Sequence, residues 1–514
     1  MKKLISIFMI VVFALTFCVG ALADGGAGTP PERPSGDMGN PPDMPSGSMG
    51  NPPDMPSGGM GTPPDMPSGN MGNPPDMPSG GMGTPPDKPS GNMGNPPDMP
   101  SGGMGTPPGG GTASFEYAAS VTVIESAGIS GETYSSDTSD VSALIVDTEG
   151  SVSLTDISVS KTGSSDGGDS CSFYGLNAAV LVMGGADVTI DGGSVTSDAN
   201  GANGIFCYGG NGGRNGAEGD GTTLTVSNTV ITTSGDGSGG IMTTGGGVTN
   251  AYDLTVTTSG RSSAAIRTDR GGGTVYVNGG SYTTGGTGSP AIYSTASVTA
   301  ENASLTSLVS EGVCIEGKNS VTLINCDLTA SNTGLNGHAT FLDSVMIYQS
   351  MSGDADSGTS SFTMTGGSLT SLSGHMFHVT NTSAVITLSG VTLANQGSDV
   401  LISVCDDGWS GADNKAVLNA DGQVLEGAAL VGENSSLTIN LTNGSCFTGC
   451  VDGSVTNAKG ETVSETAGSV KVSVDADSLW TLTADSYISE LDADASQIDL
   501  NGFSLYINGE LYTA

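Results

Sequence analysis

Few side chains in this chain could do acid, base or ligand chemistry once carboxylates scattered through turns are set aside. Histidine occurs only at His338, His375 and His378, and positive charge gathers once, as Arg261, Arg267 and Arg270 with Asp269 in the run Arg267-Thr268-Asp269-Arg270. Arg267, Asp269 and Arg270 are therefore the candidate ligand-binding residues. The cluster reads first as a set of surface ion pairs, each worth under about 1 kcal/mol, and the ligand role is the weaker reading. Adjacent carboxylates stand at Asp406-Asp407, upstream of Asn419-Ala420-Asp421. Carboxylates held at a fixed separation hydrolyse glycosidic bonds, but an Asp-rich chain makes such pairs by chance, and Asp406-Asp407 reads first as a solvated turn. His375 and His378 lie at i and i+3, which on a strand puts them on opposite faces and speaks against joint metal ligation. No catalytic residue, cofactor ligand or metal ligand is assigned. Calcium at turns such as Gly235-Asp236-Gly237 stays open as an expectation, although the Gly-Gly-x-Gly-x-Asp repeat is absent.

The elements that would position these groups sit in a strongly acidic chain, with 52 acidic and 13 basic residues and a net charge of -39. Such a surface repels nucleic acid and anionic membranes, and it disfavours a polyuronate substrate unless divalent cations bridge. Lys2 and Lys3 precede an apolar run from Leu4 to Val19 and the triplet Ala21-Leu22-Ala23, the pattern of a secretory signal cleaved before Asp24. A lipoprotein signal at Cys18 is the weaker alternative, because Phe17 is bulky where a small residue is needed. Beyond Ala23 no run reaches the roughly 18 apolar residues of a membrane span. The mature chain is thus expected to be secreted or extracellular, with cell-surface association open, monomeric and not inserted in a membrane. Seven cysteines remain after cleavage, an odd number, and most read as small buried hydrophobes.

From Pro34 an eleven-residue unit of the type PSGDMGNPPDM recurs without slippage, starting at Pro34, Pro45, Pro56, Pro67, Pro78, Pro89 and Pro100. Its prolines remove backbone donors and its glycines raise the entropy cost of ordering, so it has no means of building a core. Residues 1–23 are accordingly read as signal peptide, 24–111 as a disordered, partly polyproline-II linker, and 112–514 as the folded body with a C-terminal cap from about residue 470. A role for the Met-bearing units in binding a partner or Cu(I) is the sharper but weaker reading.

In the body, an apolar residue after a small one recurs as Ala179-Val180, Gly204-Ile205, Gly240-Ile241, Ala265-Ile266 and Ala291-Ile292, at intervals of 25, 36, 25 and 26. The long interval holds a Gly-rich stretch from Gly209 to Gly221, read as an inserted loop. Thr232-Thr233, Thr257-Thr258 and Thr283-Thr284 keep the same period. Further copies are Val321-Thr322-Leu323, Phe362-Thr363-Met364 and Ile386-Thr387-Leu388, followed by Leu328-Thr329, Leu369-Thr370 and Val391-Thr392. Coils of roughly 20 to 26 residues, each of three short strands, predict an all-β, right-handed parallel β-helix of about 15 coils and roughly 70 Å. The three threonine pairs could also offer a flat hydroxyl array of the ice-binding kind, a weak reading with so few copies.

The body resembles right-handed β-helix surface proteins of pectin-lyase-like fold, a group often adhesin-like. The stretch Ser478-Leu479-Trp480-Thr481-Leu482-Thr483-Ala484-Asp485-Ser486 and then Ile498-Asp499-Leu500-Asn501-Gly502 resembles the closing coils of autotransporter passenger domains. That resemblance implies a C-terminal cap built from Trp480, Phe503, Leu505, Tyr506 and Ile507. It carries no support for the autotransporter export route, because no outer-membrane barrel follows in this sequence.

Many such folds are polysaccharide lyases or hydrolases. The polygalacturonase order Asn-x-Asp, Asp-Asp, Gly-His-Gly, Arg-x-Lys fails here, since Asp406-Asp407 precedes Asn419-Ala420-Asp421 and Arg-x-Lys is missing. The Asp-His and Arg-x-Pro-x-x-Arg motifs of pectate lyases are also absent, and the body has only nine basic residues. The expectation is therefore a non-catalytic, secreted adhesin-like rod binding an extracellular glycan or a surface protein. A lyase or glycoside hydrolase is the alternative.

Overall fold

Runs of four to six residues with β-branched or apolar side chains at every second position alternate here with Asn, Asp, Gly and Ser, so the chain is built to make short strands joined by tight turns. We describe it from a computed structural model over residues 116–212 and 218–513, all within one unit, Gly102–Ala514. The expectations for the signal sequence and the eleven-residue repeat lie outside the described residues.

The fold is all-β, a right-handed parallel β-helix. Three sheets of 13, 14 and 10 strands run along it, and each coil contributes one strand to each sheet in turn, from Ala118–Val123, Ala127–Ser130 and Thr133–Ser136 onward. A further four-stranded parallel sheet, beginning at Val424–Glu426, takes up the third face in the later coils. Fourteen strands at about 4.8 Å make the second sheet about 60 Å long. The one α-helix among the described residues is a six-residue turn, Asp169–Tyr174.

The repeat markers fall in register. Val180, Ile205, Ile241, Ile266 and Ile292 pair across successive strands and are all buried in the central column. Thr232, Thr257 and Thr283 likewise pair, and so do Thr233, Thr258 and Thr284. Only the first column of these threonines reaches the surface; Thr233, Thr258 and Thr284 are buried, so no broad hydroxyl plane exists there. One alignment needs correction. Val391-Thr392 is not the counterpart of Leu369-Thr370, since Leu369 pairs with Leu393 and Ser368 with Thr392. Val391 is buried at the preceding turn instead.

That turn, between the second and third sheets, recurs on most coils and explains much of the Asn, Asp and Gly content. Its first residue adopts the left-handed region: Asp156, Asn228, Asp253, Asn302 and Asn325 have φ of 50°, 52°, 50°, 55° and 51°. Each donates its backbone N–H to the next coil at 2.8 to 3.0 Å. Asn and Asp tolerate this conformation better than other non-glycine residues. Where the turn is Gly366-Gly367, both residues have positive φ, and a Cβ on Gly367 would lie 2.1 Å from the Cys326 carbonyl oxygen of the neighbouring coil.

The closing coils differ from the expected cap. Trp480 is fully buried and stacks on Phe447 at 5.9 Å, and Ile498 of the following coil pairs beyond it, so it belongs to the column rather than covering the column's end. Phe503 is 39% exposed. Leu505 is buried, and its strand, Leu505–Ile507, is met by an antiparallel return at Glu510–Leu511.

The turn geometry gives a direct check. Gly367→Ala should lower stability by more than 2 kcal/mol through strain and a backbone clash, while Asn325→Gly should stay within about 0.5 kcal/mol of wild type, both read from thermal or urea unfolding.

Candidate ligand-binding site

Alternation places every second residue of the first sheet outside the coil, where a solenoid ordinarily meets water. Here the outward positions form one ladder through eleven coils: Ile145, Leu181, Phe206, Met242, Arg267, Tyr293, Cys314, Met346, His378, Ser403 and Leu430. Most of these are buried. Excursions from the coils fold over them: Phe173 and Tyr174 of the short helix at one end, Ala339 and Trp409 in the middle, and Phe341 with Val455 and Val463 farther on. Arg267 stands between the first two of these covered patches, and Tyr293 packs against the second.

The structure brings Arg267, Asp269 and Arg270 together, and largely against one another and their neighbours. Arg267 Nη2 donates to Asp269 Oδ2 at 2.8 Å and to Ser172 Oγ at 3.3 Å, and its Nη1 donates to the Ser262 carbonyl oxygen at 3.2 Å. Its guanidinium lies 5.9 Å from the Tyr293 ring centroid. Arg270 forks onto Asp354, with Nε at 3.2 Å, and sits 4.1 Å over the Phe173 ring. Burial works against its charge, but the Asp354 carboxylate holds its pKa above the ordinary value. Asp269 is 4% exposed, and burial pushes its carboxyl from the ordinary 3.8 up to about 6 against the pull of Arg267. Arg261 stands apart in a turn, its backbone N–H donated to Asp236.

On the neighbouring coils the sequence reading missed a carboxylate-phenol cluster. Glu316, 2% exposed, accepts from the Tyr293 hydroxyl at 2.5 Å, from Tyr348 at 3.2 Å and from Ser350. Burial and the nearby acids raise both phenols well above their ordinary pKa, so they remain donors. Trp409 packs on Tyr348 at 4.9 Å and His338 on Trp409 at 5.2 Å. Beside these groups opens a pocket of about 200 Å³ bounded by Arg267, Tyr293, Tyr348, Asn336, Gly288 and Pro290. A sequence signal did exist: Arg267 and Tyr293 each directly follow a repeat marker, at the outward position filled by Leu181, Phe206 and Met242 on earlier coils.

The histidines depart from expectation. His375 and His378 do not diverge, for both Nδ1 atoms lie 2.8 Å from Ser403 Oγ on the adjacent strand. His375 opens its strand, where the outward ladder gives way to the preceding turn, so strict alternation does not govern it. His378 stacks on Phe341 at 4.5 Å, and its Nε2 lies 3.4 Å from Asp407 Oδ2. His378, Ser403 and the Asp407 side chain are all fully buried, which closes this arrangement to any substrate. Burial, with His378 beside it, drops the His375 pKa from the ordinary 6.5 to about 3.

Asp406 and Asp407 serve their loop. Asp407 Oδ1 accepts from the Thr340 backbone and hydroxyl and from Gly408, and Asp406 accepts from Asn414. Asn419 and Asp421 lie on a second-sheet strand, Asn414–Asp421, in ladders with Asn440 and Asn443. All seven described cysteines are unpaired; Cys171, Cys207, Cys314, Cys326 and Cys405 are buried, whereas Cys446 is exposed. Among the described residues no group of three or more His, Cys, Asp and Glu is placed to hold a metal ion, and no helix is long and apolar enough to cross a membrane.

A mucin-like family model matches residues 24–113, the stretch that holds the eleven-residue repeat. No curated protein and no solved structure matches the chain.

Two titrations test this geometry with opposite signs. Protonated Asp269 is favoured by the fold, so its contribution is full below about pH 3.8 and lost as pH rises through about 6. The Tm of Asp269→Asn relative to wild type should therefore be higher at pH 7 than at pH 4, by the equivalent of about 2 kcal/mol. Neutral His375 is favoured, so its contribution is full above about pH 6.5 and lost as pH falls through about 3. His375→Phe should accordingly lose less stability than wild type over that fall, read from the same melts.

Proposed function

We propose that this chain is an extracellular or surface protein whose β-helix binds glycan, without catalysis, in the pocket beside Arg267. The observation that carries the reading is the composition and setting of that pocket. Tyr293 and Tyr348 supply aromatic rings to its wall, Arg267 and Asn336 supply polar side chains, and buried Glu316 fixes both phenols. Sugars are bound by the same combination, with aliphatic ring faces on aromatic side chains and hydroxyls on a few fixed polar groups. Fixing those groups in advance reduces the ordering cost of binding.

The parallel β-helix supports a surface or adhesin-like role, because a stiff column presents a long face on which stacked coils repeat the same outward geometry. The mucin-like match over residues 24–113 agrees with an extracellular setting, where repetitive Pro- and Ser/Thr-bearing segments act as stalks. On this reading the segment between the signal sequence and residue 112 carries the β-helix away from the cell. The net charge of -39 favours neutral over anionic glycans.

A glycan array with the full mature chain, followed by calorimetry on the best ligand, tests this. Arg267→Ala should weaken binding at least tenfold, which is about 1.4 kcal/mol. Lys318→Ala, which removes an exposed ion pair with Asp356, should leave binding unchanged. Binding that survives Arg267→Ala would remove the pocket from the reading, and release of shorter sugars from any bound polysaccharide would overturn its non-catalytic part.

A further inference from the structure

The larger depression on this face lies elsewhere. About 470 Å³ opens near the C-terminal end, bounded by Asp452, Glu465, Tyr487, Tyr506, Ser489 and Asn508. Along the outward ladder, Tyr293 is followed by Cys314, Met346, His378, Ser403, Leu430 and Asp452, six coils and so about 29 Å away. The two pockets are separate, and no residue lines both.

Three features of this second pocket point to one ligand chemistry. Tyr487 and Tyr506 pair across adjacent strands and stack at 5.2 Å with their planes 8° apart, so that each ring covers one face of the other and the outer face of each is left for a further group. Tyr487 is 42% exposed and so open to a ligand. Opposite charge is supplied by two carboxylates. Asp452 is oriented through Oδ1, which accepts from Gly453 N at 2.6 Å and from Ser454 N at 3.3 Å; Glu465 stands on the exposed return strand of the hairpin Ser454–Thr456 and Thr462–Glu465. No Lys, Arg or His lines the pocket, in contrast to the Arg267 pocket.

We propose that this pocket binds a small organic cation, an ammonium group carried on a compact body. Aromatic rings attract ammonium groups through the negative potential of their faces, and quaternary ammonium recognition uses that attraction together with nearby carboxylates. A neutral sugar would donate hydroxyls to these carboxylates but leave their charge uncompensated, and an anion would be repelled by them and by the acidic surface around them. The ammonium group defines the class; a choline-type headgroup and a protonated amino sugar are its two sources.

Calorimetry on the full mature chain distinguishes them, with choline against its uncharged isostere 3,3-dimethylbutan-1-ol and glucosamine against glucose. One of the two cations should bind at least tenfold tighter than its neutral counterpart, and whichever does so identifies the source. Tyr487→Ala and Glu465→Gln should each weaken that binding at least fivefold; both side chains are exposed, and an unchanged melting profile confirms that the fold survives. Arg267→Ala should have no effect, which keeps this pocket's outcome independent of the glycan reading. Equal binding of charged and neutral probes, absence of binding by both cations, or wild-type binding by both variants would overturn the proposal.

Discussion

One constraint governs this molecule: each coil must return its backbone to the same three lines, so that within the three long sheets each strand pairs in parallel with the strand one coil before it. Parallel pairing has no tolerance for a shift by one residue, since that would turn each inward side chain outward. The column of Val180, Ile205, Ile241, Ile266 and Ile292 is the result. Apart from a one-residue bulge between Val400 and Ile402, insertions along the first sheet are accommodated between strands. Ile292 to Val313 spans 21 residues and Val313 to Val345 spans 32, yet both pairs sit in the same register. The coil is thus a fixed frame, and its loops are the variable material available for a binding site.

That frame has a chemical cost, because loops covering a sheet bring polar backbone and side chains into a dry interface. The molecule meets it with short local bonds. Ser238 N–H donates to Ser263 Oγ at 2.9 Å and Ser263 N–H to Ser289 Oγ at 2.8 Å, a serine ladder that satisfies one backbone donor per coil at the turn leading into the first sheet. On the outer face, the same demand produces the Glu316 cluster with two phenols and the Ser403 hydroxyl between two histidines. Breaking one partner of such a buried set costs more than forming it gains, which is why these clusters also hold the pocket walls in place.

The column was legible in the sequence because its signal is a spacing, and spacing survives insertion when two markers run in step. The outer face was harder to read. Leu181, Phe206 and Met242 each follow a marker and are large and apolar, which already shows that this face is covered, but what covers it comes from segments far away, as where Trp409 reaches Tyr348 across 61 positions. Arg267, Asp269 and Arg270 were visible because positive charge is rare in this chain. Their use against one another and against Asp354 was not, since Asp354 sits in a loop with no periodic signal. The two histidines were misread because alternation holds within a strand and His375 begins one.

The position of the Arg267 pocket follows from the same frame. An outward ladder covered along its whole length would have no access for a ligand, and one left bare would expose a hydrophobic stripe, an aggregation hazard on a long flat sheet. Covering loops on coils of unequal length leave gaps where a short coil meets a long one. The first-sheet steps from Ile266 to Ile292 and on to Val313 are 26 and 21 residues, against 32 for the next step, from Val313 to Val345. Arg267 and Tyr293 lie on those strands, so the side chains that remain accessible there must be polar or amphipathic, and the neighbouring loops that bring Asn336 and Tyr348 supply the walls. A pocket at this point is what uneven coil length produces on a regular solenoid, and its polar lining is the composition that such a gap requires.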